Sequence, residues 1–341
     1  MDMKYDVEAD FSPSTACNFR CRYCSIPLKI RGAEPVLYGT SDQWQEGFDA
    51  TGKTWLIHVT GGEPFGYPGF VALCEKLTRR HFLSLNSNLS NRSVDGFAQT
   101  IQPSRVHFIN ASLHYEEQQR RASLDTFIAR VRKLRDAQFN VLVSQVMTPQ
   151  MVDDFPSVSA RLESCGLSII PKILRGRFEG KCYPDDYSSE HRTRIREYLA
   201  AARLNYAAVT KKMREPPTIN MFSDGRFLNG IGDYCGKPCG SGCNFATITP
   251  KGVVYRCGSG QRLGNLLRKN VSLLTGPRPC DASYCPYFCE KYTSAQFLPK
   301  TSGFGIPVRG TPAMAARVKI ARVFRSGASP LLRMVRSFTM R

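Results

Sequence analysis

From residue 5 to residue 173 the chain repeats one unit, a short apolar run followed by a longer stretch with apolar residues at helical spacing. Runs at 5–11, 55–60, 82–85, 106–109, 141–146 and 167–173 predict six strands. Between them, Phe70, Val71, Leu73, Cys74 and Leu77 mark one helix face, and Leu124, Phe127, Ile128, Val131 and Leu134 mark another. Alternating strands and helices close into a parallel sheet with right-handed crossovers. In such a sheet the loops after the strands all open at one end. Polar residues after those strands are therefore the first candidates for function: Asn86, Ser87 and Asn88 after the third, and Ser112 and His114 after the fourth. Ser144 and Gln145 fall late in the fifth, and Lys172 in the sixth.

The loop after the first strand carries Cys17, Cys21 and Cys24 in a C-x3-C-x2-C spacing. Three thiolates so close together suit an iron–sulfur cluster with one open iron, or part of a zinc knuckle. The second strand runs into Gly61-Gly62-Glu63-Pro64. There the glycines permit close backbone approach, the carboxylate complements an ammonium, and the proline stiffens the turn. The two motifs in this order resemble the signature of the radical S-adenosylmethionine (radical SAM) enzymes. The resemblance implies a partial (β/α)6 TIM-like barrel and a [4Fe–4S] cluster on Cys17, Cys21 and Cys24, whose open iron takes the amino and carboxylate groups of SAM. It also implies that Tyr23 lies near the adenine and that Gly61, Gly62, Glu63 and Pro64 hold the SAM amino group. Asn86, Asn88 and Ser144 would contact its ribose and carboxylate. The implied activity is reductive cleavage of SAM to a 5′-deoxyadenosyl radical that abstracts hydrogen from a substrate C–H bond, with an electron donor such as flavodoxin or ferredoxin. His114 offers an imidazole for a general base or a substrate ligand, or serves structure alone. Lys172 suits an anionic substrate, and Glu116 and Glu117 read as a solvated helix start.

A second thiol group comprises Cys235, Cys239, Cys243, Cys257, Cys280, Cys285 and Cys289. Residues 245–257 read as a strand, a Pro-Lys-Gly turn and a second strand, a β-hairpin that brings Cys257 beside the earlier cysteines. With Leu263-Gly264-Asn265 behind it, this region resembles the SPASM or shorter twitch extension of radical SAM enzymes, which binds two or one auxiliary [4Fe–4S] clusters. Seven thiols fall short of the eight that two cubanes need, so one auxiliary cluster is expected, or two with an open or non-cysteine ligand. Cys239, Cys243 and Cys257 are the expected core of the first, and zinc is the competing occupant. The expected organisation is a radical SAM core with a helical bridge over 1–221, a small cysteine-rich auxiliary-cluster domain over 222–295, and a basic, partly amphipathic tail over 296–341.

Composition sets outer limits. A hydrophobic fraction of 42% over 341 residues can bury a full core. Thirteen cysteines without a secretory signal ahead of them favour metal ligation in a reducing, cytoplasmic setting over a disulfide framework. Much of the net charge of +19 lies at the end, where residues 291–341 hold no Asp or Glu. Leu331, Leu332, Val335 and Phe338 fall on one helical face there, which suits an anionic membrane surface as well as a solvated tail. A zinc-binding, nucleic-acid-interacting protein is the non-enzymatic alternative, but it accounts neither for the Gly61–Pro64 motif nor for six α/β units. With only 16 residues before Cys17, the expected substrate is a small carbohydrate-like metabolite, oxidised or epimerised. The alternative is a peptide, modified by a thioether, crosslink or formylglycine reaction.

Overall fold

Trp55–Val59 is buried at all five positions, as a central strand of a parallel sheet must be when both faces are covered. In the computed structural model, which describes residues 3–211, 227–228, 234–257 and 260–281, this strand is β2. It lies between β1 (Val7–Phe11) and β3 (Phe82–Ser87). The series continues through β4 (Val106–Ser112), β5 (Val141–Met147) and β6 (Ile169–Ile173), each parallel to the one before. The six expected strands are all present, and β3, β4 and β5 run two, three and one residues further at the carboxyl end than the apolar runs suggest. The extensions of β3 and β4 carry the polar residues Asn86, Ser87, Asn110 and Ser112, which hydropathy alone leaves out of a strand.

Helices fill the connections: α1 (Leu28–Arg31), α2 (Ser41–Asp49), α3 (Phe70–Thr78), α4 (Ser93–Thr100), α5 (Tyr115–Arg120), α6 (Leu124–Asp136), α7 (Pro149–Glu163) and α8 (Ser189–Asn205). Thr40 starts α2 with a full capping box to Gln43, and Thr148 and Ser188 cap α7 and α8 through their hydroxyls. The main core lies between the sheet and this outer layer. Phe11 packs on Trp44 at 4.9 Å between ring centroids, and Phe65 on Phe70 at 5.1 Å. A smaller apolar cluster of Phe108, Leu142, Ile170, Ala202 and Tyr206 plugs the inside of the barrel. The Tyr206 hydroxyl accepts from the Val143 N–H and donates to the Ser168 carbonyl, near the amino ends of β5 and β6. The end of α8 therefore closes the bottom of the barrel and leaves the carboxyl ends of the strands as its mouth.

Residues 176–183, within the stretch expected to form a helical bridge, instead form a short hairpin of β7 (Gly176–Phe178) and β8 (Lys181–Tyr183). Two two-residue strands, β9 (Pro238–Cys239) and β13 (Arg278–Pro279), pair with each other. The expected cysteine-region hairpin is present as β10 (Phe245–Ile248) and β11 (Val253–Tyr255), followed by β12 (Arg262–Asn265). This hairpin does not stand apart. β10 pairs in parallel with the free edge of β1, giving a nine-stranded sheet ordered β12-β11-β10-β1-β2-β3-β4-β5-β6. Ala246, Ile248, Val254, Leu263 and Leu266 join the main core. The physical reason is edge protection: β1 would otherwise present an unpaired row of N–H and C=O groups.

Candidate active site

At the mouth, the loop after β1 and the loop after β2 are joined by backbone. The Gly62 N–H donates to the Ser14 carbonyl at 3.0 Å and the Glu63 N–H to the Ala16 carbonyl at 2.8 Å. A Cβ at Gly62 would fall on the Ala16 carbonyl, and one at Gly61, where φ is +107°, would fall on Ser12 and Ser14. The glycine pair is thus required for the two motifs to touch at all. One residue further on, the Cys17 N–H donates to the Arg31 carbonyl at 2.5 Å, so the cysteine loop is closed from both sides.

The three thiols differ in exposure: Cys21 is buried, while Cys17 and Cys24 are half-buried. Burial pushes Cys17 up to about 11, with the charges of Glu63 and Cys24 adding and the Phe19 N–H and Arg31 opposing. Burial also pushes Cys21 up to about 12, with Cys24, Glu117 and Cys17 adding. Thiols so disinclined to ionise become ligands only when a metal takes the place of their protons. Among the described residues no three His, Cys, Asp or Glu side chains converge on a point that a single ion would fill. A thiol-only donor set along one loop is the ligand type that an iron–sulfur cluster takes.

Glu63 is buried, and its carboxylate is taken up by the protein. Oε1 accepts from the Ser87 hydroxyl at 2.7 Å and the Phe65 N–H at 3.0 Å, and Oε2 accepts from the Asn88 N–H at 2.7 Å. Burial outweighs these three bonds and pushes its carboxyl up to about 7. The side chain therefore binds the loop after β2 to the end of β3. The two asparagines, grouped together in the sequence, separate. Asn88 reaches the cysteine loop, donating to Asn18 at 3.2 Å and toward the Cys17 sulfur at 4.0 Å. Asn86 faces the barrel interior and accepts from Asn110 and, at 2.9 Å, from Ser112, while Ser144 donates to Asn110 at 2.7 Å. These form a polar rung across β3, β4 and β5.

Tyr23 and His114, distant in sequence, meet with 2.7 Å between the Tyr23 oxygen and His114 Nδ1. His114 has a left-handed backbone (φ 47°) just before α5. Burial pulls its pKa down to about 4, with the nearby cations Lys172 and Arg31 pulling the same way and Glu117 opposing. Tyr23 is held well above its ordinary value, chiefly by burial. The phenol thus keeps its proton, and its hydroxyl lies within hydrogen-bond reach of both His114 Nδ1 and the Cys21 sulfur. Because the folded pKa of His114 lies below the ordinary 6.5, the unfolded chain protonates it first as pH falls. Stability contributed by neutral His114 is present above pH 6.5 and is lost down to about pH 4. His114→Asn is expected to flatten the decline in denaturant midpoint over that window, and an unchanged slope would contradict the assignment.

Glu117 departs from the sequence reading: it is buried, not solvated, and bonds Arg120 at 2.7 Å. Sequence reasoning also passed over the lower barrel wall. Glu8 and His58 share a hydrogen bond at 2.8 Å, and His58 bonds Ser84 in turn. Asp10, one rung above Glu8, has a buried Oδ1 with no hydrogen-bond partner, and burial pushes its carboxyl up to about 7. Charged residues at alternate positions of an otherwise apolar strand were the available signal.

The second thiol group lies at the other end of β1. The Glu8 N–H donates to the Asn244 carbonyl, so β10 starts where β1 starts, and Cys243 and Cys257 flank that lower end. The backbones of Cys235 and Cys280 pair in a single bridge, with the Gly236 N–H donating to the Cys280 carbonyl at 2.7 Å. Cys239 sits in β9 against Arg278. Arg256, also missed from sequence, holds the region together: its fork donates to the carbonyls of Ser241 at 2.9 Å, Pro279 at 3.0 Å and Arg278 at 2.8 Å. Cys235, Cys239, Cys243, Cys257 and Cys280 are thereby drawn into one region. Cys285, Cys289 and the basic tail lie outside the described residues. No helix among the described residues is long and apolar enough to cross a membrane.

A barrel whose mouth joins a three-cysteine loop to a Gly-Gly-Glu-Pro turn defines a class, and the comparisons agree with it. Residues 11–156 match the family model of the radical SAM superfamily, so the chain carries a radical SAM domain, the domain of a class that uses a [4Fe–4S] cluster and SAM. Its fold is similar to that of hexahistidine-tagged anSMEcpe with bound AdoMet, with a TM-score of 0.53 and 13% identity over 78% of this chain and 76% of that one. Native anSMEcpe with bound AdoMet and Cp18Cys peptide gives 0.52 and 12%, over 76% and 77%. Streptococcus suis SuiB bound to S-adenosylmethionine gives 0.51 and 13%, over 77% of this chain and 64%, less than two thirds, of SuiB. No curated protein sequence matches the chain.

Proposed function

We propose that this enzyme acts on a peptide, removing hydrogen from one of its C–H bonds, with Cys17, Cys21 and Cys24 as ligands of the SAM-binding cluster. The lower cysteines, drawn from Cys235, Cys239, Cys243, Cys257 and Cys280, would hold one auxiliary [4Fe–4S] cluster. The observation that carries this reading is the pairing of β10 with β1, which builds the second thiol group into the barrel wall. The bound cluster would supply the electron that cleaves SAM to its 5′-deoxyadenosyl radical. Within the chain, the joined loops would orient the three thiols, the rung of Asn86, Asn110, Ser112 and Ser144 would present hydrogen bonds, and the α8 plug would exclude water from below. The electron is expected from a donor such as flavodoxin or ferredoxin, and the basic tail suits an anionic membrane surface. The division of the chain near residue 222 belongs to the same proposal.

The peptide is preferred to the carbohydrate expected from sequence because one structure of similar fold, that of anSMEcpe, holds the Cp18Cys peptide. The polar rungs inside the barrel favour a second reading, a hydroxylated small molecule. Anaerobically reconstituted protein, given SAM and dithionite, should release 5′-deoxyadenosine faster with a peptide panel than with sugars, as read by mass spectrometry. Stimulation by sugars alone would instead establish the second reading. Cys21→Ala should fall to the level of a protein-free control in either case.

A further inference from the structure

Arg31 is the conspicuous unexplained group in this molecule. It ends α1, its residue is 7% exposed, and its Nε is buried with no hydrogen-bond partner. No ion pair among the described residues includes its guanidinium. A buried charge without a counter-charge is expensive, and native chains seldom keep one unless something neutralises it. Its surroundings indicate where that something lies. The Arg31 carbonyl accepts the Cys17 N–H, its charge favours ionisation of the Cys17 thiol, and it disfavours protonation of His114. The Arg31 backbone therefore borders the cysteine loop, and its charge acts on both Cys17 and His114.

We infer that Arg31 is the counter-charge of the cluster held by Cys17, Cys21 and Cys24, a positioning residue that makes this cluster easier to reduce. The inference rests on the ligand assignment proposed above. A thiolate-ligated cluster gains one negative charge when it accepts an electron. A fixed cation in a poorly solvated site favours that charge, since low dielectric strengthens the attraction. Arginine suits the role because its charge persists at any working pH. The competing anion is the carboxylate of SAM, which arrives only with the cofactor. Arg31 already borders the cysteine loop itself, so its effect is expected before SAM binds.

The test is a potentiometric EPR titration of reconstituted protein without SAM, following the signal that Cys21→Ala lacks. Arg31→Gln should shift the one-electron equilibrium about tenfold toward the oxidised cluster, which is about 59 mV more negative. Arg31→Lys, which keeps the charge, should stay within about twofold of the parent. An unchanged potential in Arg31→Gln overturns the inference, including the case in which SAM binding alone weakens and the carboxylate proves to be the partner. Should Arg31→Gln take up no iron, uptake restored by Arg31→Lys supports the counter-charge and failure of both variants overturns it. If Cys21→Ala keeps every signal of the parent, the ligand assignment is wrong and this inference falls with it.

Discussion

Gly62→Ala is expected to lower 5′-deoxyadenosine release by about 100-fold or more, the scale on which a displacement of about 1 Å costs catalysis. The added Cβ would overlap the Ala16 carbonyl, and both partners are main chain, so no flexible side chain can swing aside. Relief requires the loops after β1 and β2 to part. Parting them breaks the bonds from the Gly62 N–H to Ser14 and from the Glu63 N–H to Ala16, and it carries Cys17 with Ala16. Overpacking costs about 1–3 kcal/mol and each lost hydrogen bond about 1 kcal/mol more. A fall of about 10 °C in melting temperature should accompany the lost activity. A variant with the parent's rate and melting temperature would show that the loops do not meet as described.

On the proposed ligand assignment, Arg256→Met should remove the auxiliary cluster's iron while sparing the cluster proposed at the mouth. Three carbonyls depend on the Arg256 fork, and the residue is 5% exposed, so water cannot readily replace it. Hydrogen bonds from a charged donor contribute about 1.5–3 kcal/mol each, and their loss frees the segment carrying Cys239 and Cys243 from that carrying Cys280. Iron should fall by about four atoms per chain, one cubane's worth. SAM cleavage should persist, because the two thiol groups are separated by the length of β1, about 16 Å at the ordinary rise of a strand. Arg256→Lys should behave like the methionine variant, since one ammonium cannot serve three diverging carbonyls. Loss of the mouth cluster along with the lower one would refute this separation.

The parallel barrel was legible in the sequence because its evidence is local. Each strand is an apolar run, each helix an apolar stripe, and alternation of the two permits few topologies. The order of the motifs was equally plain: Cys17, Cys21 and Cys24 after the first strand and Gly61 to Pro64 after the second. Less visible were the groups whose meaning depends on what faces them. Glu117 looks like a surface acid until Arg120 and Arg121 are placed around it. Arg31 and Arg256 resemble the many other basic residues of a strongly cationic chain until their burial is known.

By itself, then, the sequence determined the strand–helix succession, the two motifs at the mouth and the existence of a second thiol group. Tertiary structure alone decided that β10 joins β1, that this union puts the second thiol group at the opposite end of the barrel from the first, and that Tyr23 meets His114. The reason is that spacing constrains neighbours along the chain. The pairing of Phe245 with Glu8 depends instead on an open sheet edge and a shared core, which residues far apart in the chain build together.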